Sequence, residues 1–343
     1  MFSRAVRKLA ARIRGESYLF DREPHLLQGF ACEASRRLQG QEFDFVFSPS
    51  TLPLVYLETD KPLTICADAT FQSMLDYYPS FTGLGRVQWK FSEDAERRVL
   101  QRASLLIYPS KWAAESAISH YGVAEERVVV QPSGANFGAR NRREDAMRWI
   151  FSRHPGEIRL LFVGKHWNRK GGEIAFDTMR LLRDSGVRSR LDIVGCAPPE
   201  HAASHENVRV HGFLCIGDEA QRKKLESLFA QAHFLLLPSR AEAYGMIFCE
   251  ANAFGVPAIS TDTGGISTII RDGINGYKLP LEAGAVEYAT LIAEIAGDTV
   301  RYQNLAQSSF GEFESRLNWK KWIETYLKVV SRIVTNRPIT VDV

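Results

Sequence analysis

The chain has 343 residues, of which 45% are hydrophobic and 24% are charged; this balance excludes a disordered or collagen-like protein and allows two globular domains. Its 43 lysines and arginines against 40 aspartates and glutamates leave a net charge of +3, which argues against nucleic acid as the main partner. The five cysteines are widely spaced and form no C-x-x-C pair, which argues against a zinc or redox dithiol motif and predicts reduced thiols.

The N-terminal segment, residues 1–17, mixes basic and apolar residues in a helix-like pattern. This pattern is too interrupted for a signal peptide, and no run in the chain approaches the ~20 apolar residues of a membrane span, so we expect a cytoplasmic protein. Two interpretations stay open: a solvated helix whose apolar side packs on the domain, or a helix in peripheral contact with anionic lipid at the inner face of the membrane. The basic residues are Arg4, Arg7, Lys8, Arg12 and Arg14, and the apolar ones are Phe2, Val6, Leu9 and Ile13.

Both halves of the chain alternate short apolar runs with amphipathic stretches. Because buried strands that alternate with helices form parallel sheets, the sequence predicts an α/β protein with two parallel-sheet domains. The predicted strands lie at 43–50, 62–70, 105–110, 127–134, 159–164, 191–195, 208–213, 234–239 and 256–261. The predicted helices include 96–104, 111–122, 172–186, 219–232 and 244–255.

A polar stretch at 134–148, rich in Gly, Asn and Arg, is the predicted linker between the two domains. We therefore expect an N-terminal domain at residues 1–140 and a C-terminal domain at 149–317. The last predicted helix begins at residue 318, carries Trp319 and Trp322 to bury, and opens the final segment 318–343.

Two lysines follow the predicted strand at 159–164. In open parallel sheets, ligands bind beyond the carboxyl ends of the strands, where loops and helix N-termini present backbone N–H groups. Lys165 and Lys170 lie in such a loop, and two ammonium groups there suit a diphosphate. The alternative is a pair of solvated surface lysines, since charged side chains are mostly exposed.

Two glutamates follow the predicted strand at 234–239. Glu242 lies in the strand-to-helix loop and Glu250 in the helix about two turns later, on the order of 10 Å away along the chain, so the pair is too far apart to act on one bond. We expect them to hold different parts of one extended ligand. Glu250 lies in an apolar helix and needs hydrogen-bond donors, which the vicinal hydroxyls of a ribose would supply, unless it faces solvent.

Gly264 and Gly265 follow the predicted strand at 256–261 and precede a short helix. Paired glycines let backbone N–H groups approach an anion or a sugar closely. An ordinary turn is the alternative interpretation.

Residues 239–280 resemble the donor-site signature of retaining glycosyltransferase family 4, with two glutamates that have seven residues between them, a G-x-P and a Gly-Gly turn followed by DGINGY. Residues 162–172 resemble the phosphate loop of that family, with Lys165 in place of the usual arginine. The resemblance is most specific over 159–280 and extends more weakly over nearly the whole chain. It implies the GT-B fold, in which two Rossmann-like domains face each other across a cleft and the last helix returns to the N-terminal one.

The resemblance also implies an activity, the transfer of a sugar with retention from a nucleotide-diphospho-sugar to a glycan or lipid-linked acceptor, with no metal and no other cofactor. Lys165 and Lys170 would hold the diphosphate and neutralise the leaving group, and Glu250 would hold the ribose hydroxyls. The paired glycines, Gly264 and Gly265, belong to the same signature. The groups that would hold the transferred sugar are the Glu242 carboxylate and the N–H groups of Ala243, Tyr244 and Gly245.

The sequence departs from this family at two places. Where many members have a histidine that faces the transferred sugar, Asp68 is the nearest polar residue. Members also normally begin with a strand and a Gly-rich loop, whereas this chain opens with the basic segment. We therefore expect the first strand to be missing, with a slot at the centre of the N-terminal sheet that another segment must fill.

Three functions stay open on the sequence alone: the transferase, a non-catalytic nucleotide-sugar-binding subunit, and a nucleotide-sugar epimerase of the same architecture. The second is kept because the missing N-terminal elements normally serve the acceptor, while the donor loops are present. A nicotinamide enzyme is disfavoured because no G-x-G-x-x-G follows a predicted strand.

Overall fold

A computed structural model describes residues 4–138, 141–153 and 156–335. Within these residues the chain forms two compact units, one made of the residues up to Gln131 and from Glu324 onward, the other of Pro132–Ile323. Phe2, predicted on the apolar side of the N-terminal helix, lies outside the described residues, as does the side chain of Arg4.

The first unit contains a four-stranded parallel sheet in the order β1-β2-β3-β4. Strand β3 is buried along its whole length, as its continuous apolar run predicts. The strands are β1 (Val46–Ser48), β2 (Leu63–Cys66), β3 (Leu105–Tyr108) and β4 (Val128–Val130). The helices are α1 (Arg4–Ile13), α2 (Pro24–Leu38), α3 (Phe71–Met74), α4 (Arg86–Arg102) and α5 (Lys111–Ser119), with 3-10 turns at Phe20–Arg22, Leu52–Leu54, Pro79–Phe81 and Glu125–Arg127.

The sheet of the first unit has no slot at its centre. Its four strands are added in chain order and each neighbouring pair is hydrogen-bonded, so β1 forms an edge of the sheet. Among the described residues, no strand of this sheet precedes β1; Ser17 and Leu84 form an isolated bridge outside it. The expected central slot is therefore wrong, because the strands that are present pair directly with one another.

Helix α1 turns its apolar side outward. Ala11 is buried and Ala10 half-buried, whereas Val6, Leu9 and Ile13 are 46%, 58% and 78% exposed. The interpretation in which these three side chains pack on the domain is therefore wrong, because the helix docks through its small residues instead. No helix in the part of the chain that the structure describes is both long enough and apolar enough to cross a membrane.

The second unit contains a six-stranded parallel sheet in the order β10-β9-β8-β5-β6-β7. The strands are β5 (Ile158–Val163), β6 (Ser189–Val194), β7 (Val208–Val210), β8 (Phe234–Leu237), β9 (Ala258–Thr261) and β10 (Gly276–Leu279). The helices are α6 (Arg143–Ser152), α7 (Gly172–Asp184), α8 (Glu200–Ala203), α9 (Glu219–Gln231), α10 (Met246–Asn252), α11 (Ile266–Ile269), α12 (Ala285–Gly297) and α13 (Thr299–Ser315).

The order of strands in the second unit reverses at β5. The chain first adds β6 and β7 on one side of β5 and then β8, β9 and β10 on the other. Where the order reverses, the loops after neighbouring strands diverge and leave a crevice at the carboxyl ends. The loops after β5 and β8, which carry six of the predicted site residues, border this crevice.

The connections between the units differ from the predicted linker. Residues 134–138 belong to the second unit, 139–140 lie outside the described residues, and α6 begins at Arg143 because Ala146 and Ile150 pack into the core of that unit. The last helix, α14 (Trp319–Val334), starts in the second unit and ends in the first. Within the first unit, the Tyr326 ring of α14 packs on Phe47, with 5.4 Å between the ring centroids.

Candidate functional site

Three loops converge at the carboxyl edge of the second sheet. The loop after β5 contacts the loop after β8, where the Arg240 N–H donates to the carbonyl oxygen of Arg169 at 2.8 Å. The loop after β8 contacts in turn the loop after β9, where the Gly265 N–H donates to the carbonyl oxygen of Glu242 at 3.0 Å. The loops that the sequence singles out therefore form one continuous surface.

Gly171 allows the first two loops to approach. Its φ of +74° is a left-handed conformation, and a Cβ at this position would lie 2.0 Å from the carbonyl oxygen of Pro238. Any side chain would therefore push the loop after β5 away from β8. The lysine before this glycine is held at the junction of the two loops.

Lys170 and Glu242 form a buried ion pair at this junction. Their side chains are 9% and 11% exposed, and the Lys170 ammonium donates to the Glu242 carboxylate. Arg169 lies beside them, with its guanidinium 3.8 Å from the same carboxylate oxygen. Two basic side chains thus lie beside this carboxylate, and basic groups at this point of the surface favour an anion.

Lys165 has different surroundings from Lys170. It is exposed, and its ammonium nitrogen lies 5.3 Å from the centroid of the Phe213 ring, a cation–π distance. Phe213 follows β7 and is itself 61% exposed. The loop that was predicted to hold a diphosphate therefore contains one buried lysine and one exposed lysine.

Glu250 is buried in α10, which excludes the alternative of a solvent-facing glutamate. Its exposure is 7%, and burial raises the pKa of its carboxyl group to about 7, against a smaller opposing effect of the Asn136 N–H, which donates to it. A carboxylate with this environment gains most from additional donors, because each hydrogen bond offsets part of its lost hydration.

Residues 243–245 form the turn between Glu242 and α10. The Tyr244 side chain is buried and its hydroxyl donates to the carbonyl oxygen of Ser133 at 2.9 Å, so it anchors the turn. Gly245 precedes α10 with a left-handed φ of +92°, so the helix begins at Met246 and not at the predicted residue 244. Ala243 lies between Glu242 and Tyr244 in this turn.

Asp68 lies in the first unit, in the loop after β2, and is exposed. Burial, together with the negative charge of Asp68, raises the pKa of the neighbouring Cys66 thiol to about 12. No group of three or more His, Cys, Asp or Glu side chains suited to a metal ion occurs among the residues that the structure describes.

Two contributors to the site were not predicted. Arg169 donates to the carbonyl oxygen of Ala241 at 2.7 Å and approaches Glu242; the second basic residue of the N-R-K-G-G run was the available signal. Asn136 supplies its backbone N–H to Glu250, and no sequence pattern marks a main-chain donor that lies more than 100 residues away.

Two family descriptions match the chain. Residues 3–137 match Glycosyltransferase Family 4, and residues 157–298 match Glycosyl transferases group 1. The chain belongs to glycosyltransferase family 4. The match over 157–298 contains β5 to β10 and all three loops of the site.

Curated relatives agree with this family. The D-inositol 3-phosphate glycosyltransferase of Paenarthrobacter aurescens is 23% identical over 259 residues, which is 71% of this chain and 62% of that protein. The homologous enzyme of Nocardia farcinica is 26% identical over 225 residues, 62% of this chain and 49% of that protein. The chain thus spans about half to three-fifths of the length of these relatives.

Solved structures of glycosyltransferases share the fold. Sucrose-phosphate synthase from Thermosynechococcus elongatus superimposes with a TM-score of 0.71 at 17% identity, covering 91% of this chain and 79% of the other. Anabaena HepE in complex with UDP-glucose gives a TM-score of 0.64 at 16% identity, covering 89% and 82%. The GT-B fold class that the family resemblance implies is confirmed.

Proposed function

We propose that this family 4 chain is a retaining glycosyltransferase that takes a sugar from a nucleotide-diphospho-sugar and transfers it to a glycan or lipid-linked acceptor without a metal ion. The observation that carries the proposal is the convergence of the Lys170–Glu242 pair and its flanking loops at the point where the second sheet reverses its strand order. The likeness to a fold that binds UDP-glucose in Anabaena HepE supports a donor of this class.

The diphosphate is assigned to the two lysines. Lys170 stands at the loop junction, and the side chain of Lys165 can leave the Phe213 ring to reach an anion, since it is exposed and flexible. During transfer the bond between the sugar and the diphosphate breaks, and negative charge grows on the leaving oxygen. Preorganised ammonium groups stabilise that charge without a metal.

The transferred sugar is assigned to the loop after β8. The Glu242 carboxylate accepts hydrogen bonds from sugar hydroxyls while Lys170 keeps it ionised and oriented, and the N–H groups of Ala243, Tyr244 and Gly245 are donors for the same sugar. Gly264 and Gly265 let the neighbouring loop approach it closely. An oxocarbenium-like sugar that is attacked on the face the diphosphate leaves retains its configuration.

The ribose is assigned to Glu250. Vicinal hydroxyls would donate to its carboxylate, beside the backbone N–H of Asn136. For Asp68 we propose the role that the family resemblance implies, a polar group acting on the transferred sugar. Its exposed position after β2 in the first unit is compatible with a ligand contact.

Thermal-shift measurements against a panel of nucleoside diphosphates and nucleotide-sugars test the donor assignment, because a ligand that binds only the folded state raises the melting temperature. We expect at least one nucleotide-sugar to stabilise the wild-type chain and to lose this effect in Lys170→Ala. A panel without any stabilising member would contradict the proposal. An epimerised sugar formed without an acceptor would instead favour the epimerase.

We also propose that α1 makes peripheral contact with anionic membrane at the cytoplasmic side. The outward side chains of Val6, Leu9 and Ile13 lie on one face of the helix, with the exposed Lys8 and Arg12 beside them. This arrangement is typical of helices that lie in the lipid headgroup region.

Co-sedimentation with vesicles tests the membrane contact. We expect binding to phosphatidylglycerol-containing vesicles, little binding to pure phosphatidylcholine, and loss of binding in the double variant Leu9→Ser with Ile13→Ser. The control is Val286→Ser with Val300→Ser, two exposed apolar side chains of the second unit. Equal binding by both double variants would contradict a role for α1.

A further inference from the structure

A groove of about 650 Å³ lies in the first unit between α1 and the start of α4. Its walls are mostly apolar, and they include Ala10 and Ala11 of α1, Pro24 of α2, and Val87 and Phe91 of α4. The segment between α1 and α2 closes one side: Ser17 donates its N–H to Gly83, and Leu19 exchanges two hydrogen bonds with the Gln88 side chain. We call it the α1–α4 groove.

The groove opens at the carboxyl edge of the first sheet. Helix α4 connects the parallel strands β2 and β3, so it runs antiparallel to them, and its last residue, Arg102, lies just before β3 begins at Leu105. Its first residues, Arg86 and Val87, therefore lie at the opposite edge, where β2 and β3 end. Ligands of open parallel sheets bind at that edge.

Among the described arginines that line the groove, Arg86 differs from the others in its charge partners. Arg7 pairs with Glu23 and Arg14 pairs with Glu16. A third arginine of the lining, Arg22, pairs with the buried Glu96. Arg86 has no ion pair among the residues that the structure describes, and it is exposed at the rim of the groove. An apolar trough with one uncompensated cation at its rim complements an apolar chain that carries one phosphate.

We propose that the α1–α4 groove binds the apolar chain of a lipid-linked acceptor, with its phosphate at Arg86. The proposal rests on the proposed transferase function and narrows its acceptor from a glycan or a lipid-linked molecule to the latter. The outward apolar side of α1 lies next to the groove on the same helix. An apolar chain in a membrane at that side could therefore reach the groove over a short distance.

Binding of decyl phosphate below its critical micelle concentration, measured by calorimetry, tests the groove. We expect saturable binding that falls at least tenfold in Val87→Asp, because the new carboxylate lies on the groove wall and repels the phosphate. Val87 is 86% exposed, so the fold tolerates the change. The control is Val300→Asp, since Val300 is 65% exposed and, like Val87, is the second residue of its helix.

Two further variants and two further probes test the contributions of the apolar chain and of the phosphate separately. Ala10→Phe fills the groove and is expected to abolish binding, whereas Arg86→Gln removes the phosphate partner and is expected to weaken it severalfold. Decyl maltoside and inorganic phosphate are each expected to bind far more weakly than decyl phosphate. Equal binding of decyl maltoside would overturn the phosphate assignment, and equal binding of inorganic phosphate would overturn the role of the chain.

The test of the groove can be interpreted independently of the donor assignment, because nucleotide-sugar binding is measured separately on the same samples. Decyl phosphate binding that is lost in Val87→Asp but kept in Val300→Asp supports the groove, even if no nucleotide-sugar binds and the transferase proposal fails. Absent decyl phosphate binding, or binding equal in all variants, overturns the groove even if nucleotide-sugars bind normally.

Discussion

Glu250 is a carboxylate buried within the site. Its carboxyl group has a pKa near 7 because it is buried, and the backbone N–H of Asn136 offsets only part of this effect. Ligand hydroxyls that donate to the carboxylate would favour its ionised form and so would bind more tightly when the proton is absent.

Replacement of Glu250 by alanine is expected to weaken nucleotide binding ten- to a hundredfold, roughly 1.5–3 kcal/mol, the range for a charge-assisted hydrogen bond. The fold should persist, since the substitution removes a buried charge. Isothermal titration with the nucleoside diphosphate checks this. An unchanged affinity in a folded variant would rule out the ribose assignment.

The pKa of Glu250 also predicts a pH dependence. Because it is raised from 4.5 to about 7 in the folded state, this group destabilises the unliganded fold increasingly as pH rises from 4.5 to 7, by on the order of 3 kcal/mol in total. Nucleotide affinity should change in the opposite direction and increase as pH rises through 7. Titrations across this range on wild type and Glu250→Gln test it, and a variant with the same two slopes as wild type would contradict it.

Substitutions in the Lys170–Glu242 pair are expected to affect fold stability and nucleotide-sugar binding separately. Lys170→Ala removes the closest positive charge from the buried Glu242 carboxylate and is expected to cost about 3 kcal/mol of unfolding free energy. The double variant Lys170→Met with Glu242→Gln should recover most of this stability without recovering nucleotide-sugar binding. Denaturant unfolding and calorimetry measure the two quantities. Recovery of both would show that the pair is purely structural.

At the scale of elements, the strands were the most predictable part of the fold. Continuous apolar runs identify β3 and β8. Both faces of these strands are covered, so every residue of the strand is buried and the run contains no alternating polar residues. The side of α1 that packs on the domain could not be predicted in this way. An amphipathic pattern does not state which side packs, and here Ala11 allows closer docking than the larger side chains.

The site itself was predictable as loops but not as contacts. The glutamate spacing, the lysines and the paired glycines mark the loops after β5, β8 and β9. These loops could be recognised because the residues of each loop are close together in the sequence. The approach of Lys170 to Glu242 depends on the packing of two loops 72 residues apart, which no local pattern encodes.

The loop contact at Gly171 provides a test at this scale. Gly171→Ala must accept both a left-handed φ and a Cβ 2.0 Å from the Pro238 oxygen, so we expect a loss of stability and a displaced phosphate loop. The control is Gly186→Ala, where φ is +85° but no atom lies within 4 Å, so only the backbone cost of about 1–2 kcal/mol should appear. Similar nucleotide affinities in the two variants would contradict the loop-contact account.

At the scale of the molecule, the near-neutral net charge of +3 means that affinity for anions must come from local clusters such as the one at Lys170. In the first unit, Asp68 lies in the loop after β2 and the α1–α4 groove lies at the start of α4. Both are at the carboxyl edge of the sheet of that unit. The proposed diphosphate site and the proposed groove for the acceptor's apolar chain thus lie on separate sheets, each at its carboxyl edge.

The configuration of the released or transferred sugar tests the central claim most directly. Nucleotide-sugars that stabilise the chain are incubated with it in the presence of EDTA, and the first-formed sugar product is examined by proton NMR for its anomeric configuration. The account predicts release of the nucleoside diphosphate, a product with the anomeric configuration of the donor, and loss of this reaction in Lys170→Ala. An inverted product, or a reaction that EDTA abolishes, would contradict it.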